Sequence, residues 1–172
     1  EAGASSVTHL FNAMSQIGNR EPGLAGAALD KGSVLCGLIA DGFHVHEAVM
    51  RAALRAKPGP GRIFLVTDAM STVGSGITSF TLNGRTISRS GGRLTLEDGT
   101  LAGADVDMMS CVRFAHFKLG VSKAEALRMA GLYPAQCIGR GTELGSLRPG
   151  ARADFVHLSD GFELLGVFGA GS

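Results

Sequence analysis

"SVLCGLIADGFHVHEAVMRAALRAKPGPGRIFLVT", residues 33–67, decides the fold. Its opening run, 33–40, is apolar almost throughout and short, which is how a strand covered on both faces reads. Residues 44–57 then set Val45, Ala48, Val49, Ala52 and Ala53 at helical spacing, and Pro58 ends the pattern. A second apolar run, 62–67, follows. Strand, helix, strand is a βαβ unit, whose two strands lie parallel. Residues 5–10, "SSVTHL", form a third run of the same kind upstream, so the expected fold class is α/β with a parallel sheet.

Outside this unit the texture changes. Residues 77–101 mix β-branched residues with Asn83-Gly84, Gly91-Gly92 and Asp98-Gly99, each a hairpin-turn signal, and predict an antiparallel excursion. Helices are expected to resume over 105–120 and again after Ser122, whose spacing to Glu125 makes a capping box. Gly120 and Gly131 are the expected ends of these two helices. From 145 to 159 a Pro-Gly turn precedes alternating apolar residues, which predicts a separate small β-structure beyond a boundary near 140–145.

With 172 residues, of which 45% are hydrophobic, the sequence can bury a substantial core. A net charge of +1 leaves no electrostatic footprint for nucleic acid or an anionic membrane. No apolar stretch approaches the roughly 20 residues that span a bilayer. Cys36, Cys111 and Cys137 are odd in number and widely spaced, which suits reduced thiols rather than a disulfide framework, and the expected location is cytoplasmic.

The chemistry collects at one end of the expected sheet. His9 and Asp68 each follow the apolar part of a strand, and His44 follows another across the turn "ADG". In α/β sheets ligands meet the protein at that carboxyl end. Asp68 could alternatively cap a helix over "AMS", but Gly74 and Gly76 would stop such a helix almost at once. His46, His116 and His157 read as helix-face or strand-surface residues. Imidazole and carboxylate suit zinc and similar divalent ions, whose bound water has a pKa near about 7. A carboxylate beside it can take a proton from water and pass it to a leaving amine, so metal-assisted hydrolysis is the natural class. Arg20, in the polar loop "QIGNREPG", and the backbone at Asn12 and Ala13 suggest an anionic substrate.

"THLFNAM" (8–14), Arg20, "ADGFHV" (40–45), "LVTDAM" (65–70), "LAGADVDM" (101–108), "ALRMAGLYPA" (126–135) and "LGSLRPGARADFV" (144–156) occur in this order. Together they resemble the C-terminal portion of the N-acetylglucosamine-6-phosphate deacetylases, within the amidohydrolase superfamily. The resemblance implies the last three strands of a (β/α)8 TIM-type barrel over 1–143, with the hairpin excursion at about 77–101. Residues 144–172 would start the C-terminal segment of a small β-sandwich. It makes His9 a metal ligand and Asp68 the catalytic acid/base. It assigns the substrate phosphate to Asn12, Ala13 and Arg20, the last reaching across a homodimer interface, the sugar and amide carbonyl to His44, and the sugar pocket to Met108. The implied cofactor is a divalent metal ion, Zn2+ first, with one or two ions per site. The implied reaction takes N-acetylglucosamine 6-phosphate to glucosamine 6-phosphate and acetate in amino-sugar catabolism.

The resemblance also puts two further metal ligands, a Glu and a His, upstream of Glu1, so the chain alone is expected to be inactive. Two alternatives stay open at this point. One is a truncated fragment that binds sugar phosphate or is purely structural; the other is an amidohydrolase acting on a cyclic amide.

Overall fold

The computed structural model describes residues 3–169 and is a mixed α/β structure. Its centre is a parallel sheet of three strands in chain order, β1 (Ser6–Val7), β2 (Leu35–Ile39) and β3 (Ile63–Val66). Cys36 is the hub of the register, opposite Val7 on one side and Ile63 on the other. From Cys36 to Ala40 every residue of the middle strand and its exit is buried, so water is excluded from both faces. β1 is shorter than the run 5–10 suggests, because the chain twists away after Val7; Leu10 nevertheless returns its N–H to the Gly37 carbonyl at 2.7 Å.

Two helices make the crossovers, α1 (Gly23–Asp30) and α2 (Glu47–Ala56). The apolar pattern does not announce α1: it is short and has no side-chain cap of its own. Its first N–H groups are instead satisfied from a distance, Leu24 by the Ser15 hydroxyl at 2.7 Å and Ala25 by the Ser15 carbonyl at 3.1 Å. In α2 the buried stripe is Met50 and Ala53, whereas Ala48, Val49 and Ala52 face solvent. His46 is not on the helix face as expected but is its N-cap, accepting the Ala48 N–H at 3.2 Å.

After β3 the chain enters a four-stranded antiparallel sheet: β4 (Ser79–Leu82), β5 (Arg85–Ser90), β6 (Arg93–Thr95) and β7 (Leu101–Ala104). The first two turns follow their residue types, Asn83-Gly84 and Gly91-Gly92 all having positive φ. β7 brings the sheet back beside the parallel one. Ala104 bridges Ala69 in parallel, donating to the Asp68 carbonyl at 3.0 Å and accepting from Met70 at 3.1 Å.

Helices α3 (Met108–Phe117) and α4 (Lys123–Ala130) pack on β3 and on each other, adding Cys111, Val112, Ala115, Ala126 and Met129 to the core. Ser122 caps α4 as expected through the Glu125 N–H at 3.3 Å. The Glu125 carboxylate completes no capping box, since Arg128 at 2.8 Å and the Tyr133 hydroxyl at 2.8 Å engage it. Gly131 ends α4 and also starts a further helix, α5 (Leu132–Cys137). The tail forms one hairpin, β8 (Phe155–Leu158) with β9 (Leu164–Phe168). The last residues of the tail expected to begin at 144, numbers 170–172, lie outside the described residues. Among the described residues no helix is long and apolar enough to cross a membrane.

Candidate active site

Three parallel strands in chain order set their exits side by side at one edge of the sheet. His9 lies two residues beyond β1, Asp41 and His44 two and five beyond β2, and Asp68 two beyond β3. Because β2 is central, the loop carrying His44 lies between the segments that carry His9 and Asp68. None of the three is in a strand; each stands on the bend that follows one.

The segments at His9 and Asp68 are strained. Of the six non-glycine residues with positive φ among the described residues, four are His9 (30°), Phe11 (75°), Ala13 (50°) and Asp68 (53°). Left-handed backbone costs an L-residue roughly 1–2 kcal/mol. Such conformations persist where the surroundings over-determine them, and they cluster at functional sites. At His9 the constraint is the fully buried Leu10 with its bond to Gly37, together with the Asn12 N–H donated to the His9 carbonyl at 2.8 Å. At Asp68 it is the pairing of its own carbonyl with Ala104. Gly103, at φ 83°, makes room there: a Cβ on it would sit 2.5 Å from Met70 Cγ.

The side chains differ in what they are left free to do. His9 is half-buried, and its Nδ1 is buried without a hydrogen-bond partner. The Asp68 carboxylate is exposed and makes no hydrogen bond among the described residues. His44 is fixed, its Nδ1 lying 2.6 Å from Asp41 Oδ2. Burial alone would raise the Asp41 carboxyl, but hydrogen bonds from the His44 ring and from the His44 and Phe43 N–H groups outweigh it and hold the carboxyl below its ordinary range.

Asn12 and Ala13 follow His9 directly, Asn12 half-buried with its side-chain amide on the Leu10 carbonyl at 3.3 Å and Ala13 exposed. Met108 opens α3 after the Asp107 N-cap and packs half-buried against the core, a few residues beyond the Ala104 that pairs with Asp68. Arg20 is not drawn in with the others. It sits exposed in the loop before α1 and makes no side-chain hydrogen bond or ion pair among the described residues. Asp41 is the residue that the sequence reading passed over, taking it for part of a turn. The signal was present in "DGFH", an acidic residue three before a histidine across a glycine.

Among the described residues no group of three or more His, Cys, Asp or Glu side chains is arranged to hold a metal ion. The unpartnered Nδ1 makes His9 chemically suited to be one ligand or to need an acceptor, but the donors among the described residues do not close a catalytic zinc centre, which takes about three protein ligands.

Comparison with known proteins adds a frame for this geometry. A sequence model of the amidohydrolase family matches residues 1–171. The N-acetylgalactosamine-6-phosphate deacetylase of Shewanella sp. (strain ANA-3) is 44% identical over 99% of this chain and 43% of its own length. A putative N-acetylgalactosamine-6-phosphate deacetylase of Escherichia coli (strain K12) is 39% identical over 93% of this chain and 95% of its own. The crystal structure of N-acetylglucosamine-6-phosphate deacetylase from Pasteurella multocida superposes with a TM-score of 0.93 at 37% identity, over 98% of this chain and 44% of that one. The chain thus spans 43–44% of the length of the Shewanella relative and of the Pasteurella structure.

Proposed function

The chain belongs to the amidohydrolase family, and we propose that it supplies the C-terminal part of an enzyme that hydrolyses the N-acetyl group of N-acetylglucosamine 6-phosphate. The products are glucosamine 6-phosphate and acetate. One observation carries the reading: His9, His44 and Asp68 stand at the carboxyl ends of adjacent parallel strands, two of them on strained backbone. The chain-ordered strands with helical crossovers suit three consecutive units of a (β/α)8 barrel over 1–143, and the tail from 144 suits a sandwich segment.

In this reading Asp68 takes the proton of the attacking water and delivers it to the leaving amine, the role its unengaged carboxylate leaves open. His44 meets the amide carbonyl and the sugar, and Met108 borders the sugar. Asn12, Ala13 and Arg20 take the phosphate. Membership of the family implies a divalent metal, for which we infer Zn2+ with His9 as one ligand. The ligands this chain lacks would be the Glu and His of the upstream strands, and no step is assigned to the metal from the residues present. Arg20, exposed and unengaged among the described residues, would serve a neighbouring site across a homodimer interface. The setting is a cytoplasmic one.

The test is made on the complete protein that carries this chain. It should release acetate from N-acetylglucosamine 6-phosphate, and the galactosamine epimer is assayed beside it because relatives bear both names. His9→Ala should lose bound metal together with activity, whereas Asp68→Asn should keep its metal and lose about 10²–10⁴-fold in kcat. No turnover of either sugar refutes the reading, and equal metal loss in both variants would make Asp68 a ligand.

A further inference from the structure

The turn Asp41-Gly42-Phe43-His44 is held in place several times over. Gly42 has φ 78°, and a Cβ there would lie 2.9 Å from the Phe114 ring. Phe43 lies under the Arg93 guanidinium, 4.5 Å from ring centroid to cation. Val45 is buried, and His46 anchors the start of α2. Asp41 Oδ1 accepts the N–H groups of Phe43 and His44 at 2.9 and 3.0 Å, which suffices to shape the turn and which an asparagine oxygen could do equally well. The second oxygen, Oδ2, has one partner among the described residues, the His44 ring at 2.6 Å. Both side chains are removed from water, Asp41 4% and His44 7% exposed.

A carboxylate only accepts. The ring nitrogen facing Oδ2 must therefore carry the proton, and Nε2 is left as the nitrogen without a partner among the described residues. We propose that Asp41 is a positioning residue: its carboxylate holds His44 with Nδ1–H directed into the protein, so that Nε2 is presented, always in the same orientation, to the bound substrate. The direction in which the Asp41 carboxyl is held, below its ordinary range, keeps it an acceptor at neutral pH. The part of this that concerns catalysis rests on the role given to His44 above; the proton's position does not.

The complete protein, labelled with 15N at histidine, tests both parts. Long-range proton–nitrogen spectra, with His44 assigned by its loss in His44→Gln, should show the wild-type ring protonated at Nδ1. In Asp41→Asn the amide keeps the turn but offers N–H to the ring, so the proton should leave Nδ1 and appear on Nε2. With metal content unchanged and the variant still folded at the assay temperature, kcat should fall about 10- to 100-fold, the range for removing the group that orients a functional imidazole. The same change in the His44→Gln background should cost less than about 2-fold. A bare Nδ1 in the wild type overturns the proposal, even should Asp41→Asn fail to fold. So does a full, additive loss in the double variant. If the wild type turns over neither sugar, the functional reading falls while the spectrum still decides the Asp41–His44 geometry.

Discussion

Removing the Asp105 carboxylate should be among the more destabilising single changes available. Its side chain is 4% exposed and receives two donors: the Thr72 hydroxyl on Oδ1 at 3.2 Å and Arg89 Nε on Oδ2 at 2.7 Å. Arg89 also donates to the Ser75 carbonyl at 2.8 Å, so three segments meet here: β5, the exit of β7 and the loop after β3. Asp105→Ala strands the Thr72 hydroxyl, which is 0% exposed, at about 1–3 kcal/mol. It also forfeits a charged hydrogen bond of about 1.5–3 kcal/mol, reduced because Arg89 at 29% exposure can turn part of its guanidinium to water. The sum is about 2–5 kcal/mol, reaching at its upper end the magnitude for breaking a buried pair. Asp105→Asn keeps an acceptor and should cost only about 1–2 kcal/mol. Urea denaturation of the complete protein reads these values as midpoint shifts at constant slope. Thr72→Val placed on Asp105→Ala should restore about 1 kcal/mol, because no buried hydroxyl is then left unpaired. A loss below about 1 kcal/mol for Asp105→Ala, or further destabilisation by Thr72→Val in that background, would refute the reasoning.

Three further outcomes are expected. Arg20→Ala should raise KM for the phosphorylated sugar about 10- to 150-fold, from about 1.5–3 kcal/mol of charge-assisted hydrogen bonding, and leave the unphosphorylated sugar nearly unaffected; equal losses on both would show that the anion is held elsewhere. Hybrid dimers of Arg20→Ala with Asp68→Asn should regain activity if the arginine acts across the interface. The depressed Asp41 carboxyl fixes a sign for pH: the unfolded chain binds its proton first as pH falls, so the stability Asp41 contributes is complete above the unfolded value of about 3.9 and is lost as pH falls through the lower folded value. Urea midpoints measured from about pH 6 down to about pH 3 should therefore converge for wild type and Asp41→Asn, and a gap that widens toward acid would contradict the assigned shift.

What the sequence alone determined is whatever its neighbours in the chain can enforce. Apolar runs of strand length around one helical pattern dictated a parallel sheet, since only strands covered on both faces read that way. Asn83-Gly84 and Gly91-Gly92 dictated their turns because positive φ is cheap there, and Ser122 its cap because the acceptor lies three residues from its donor. The position of His9, His44 and Asp68 at strand exits followed from the same pattern. The helix α1 did not, because its first N–H groups are satisfied by Ser15, several residues away. Nor did the left-handed bends at His9 and Asp68, which are imposed by Gly37 and Ala104 from other strands. Asp41 looked like a turn residue because its backbone contacts are local, while its burial with His44 depends on the helices and sheet packed around the turn. The tertiary structure decided these features because each needs a partner distant in sequence, and only folding brings that partner within hydrogen-bonding reach.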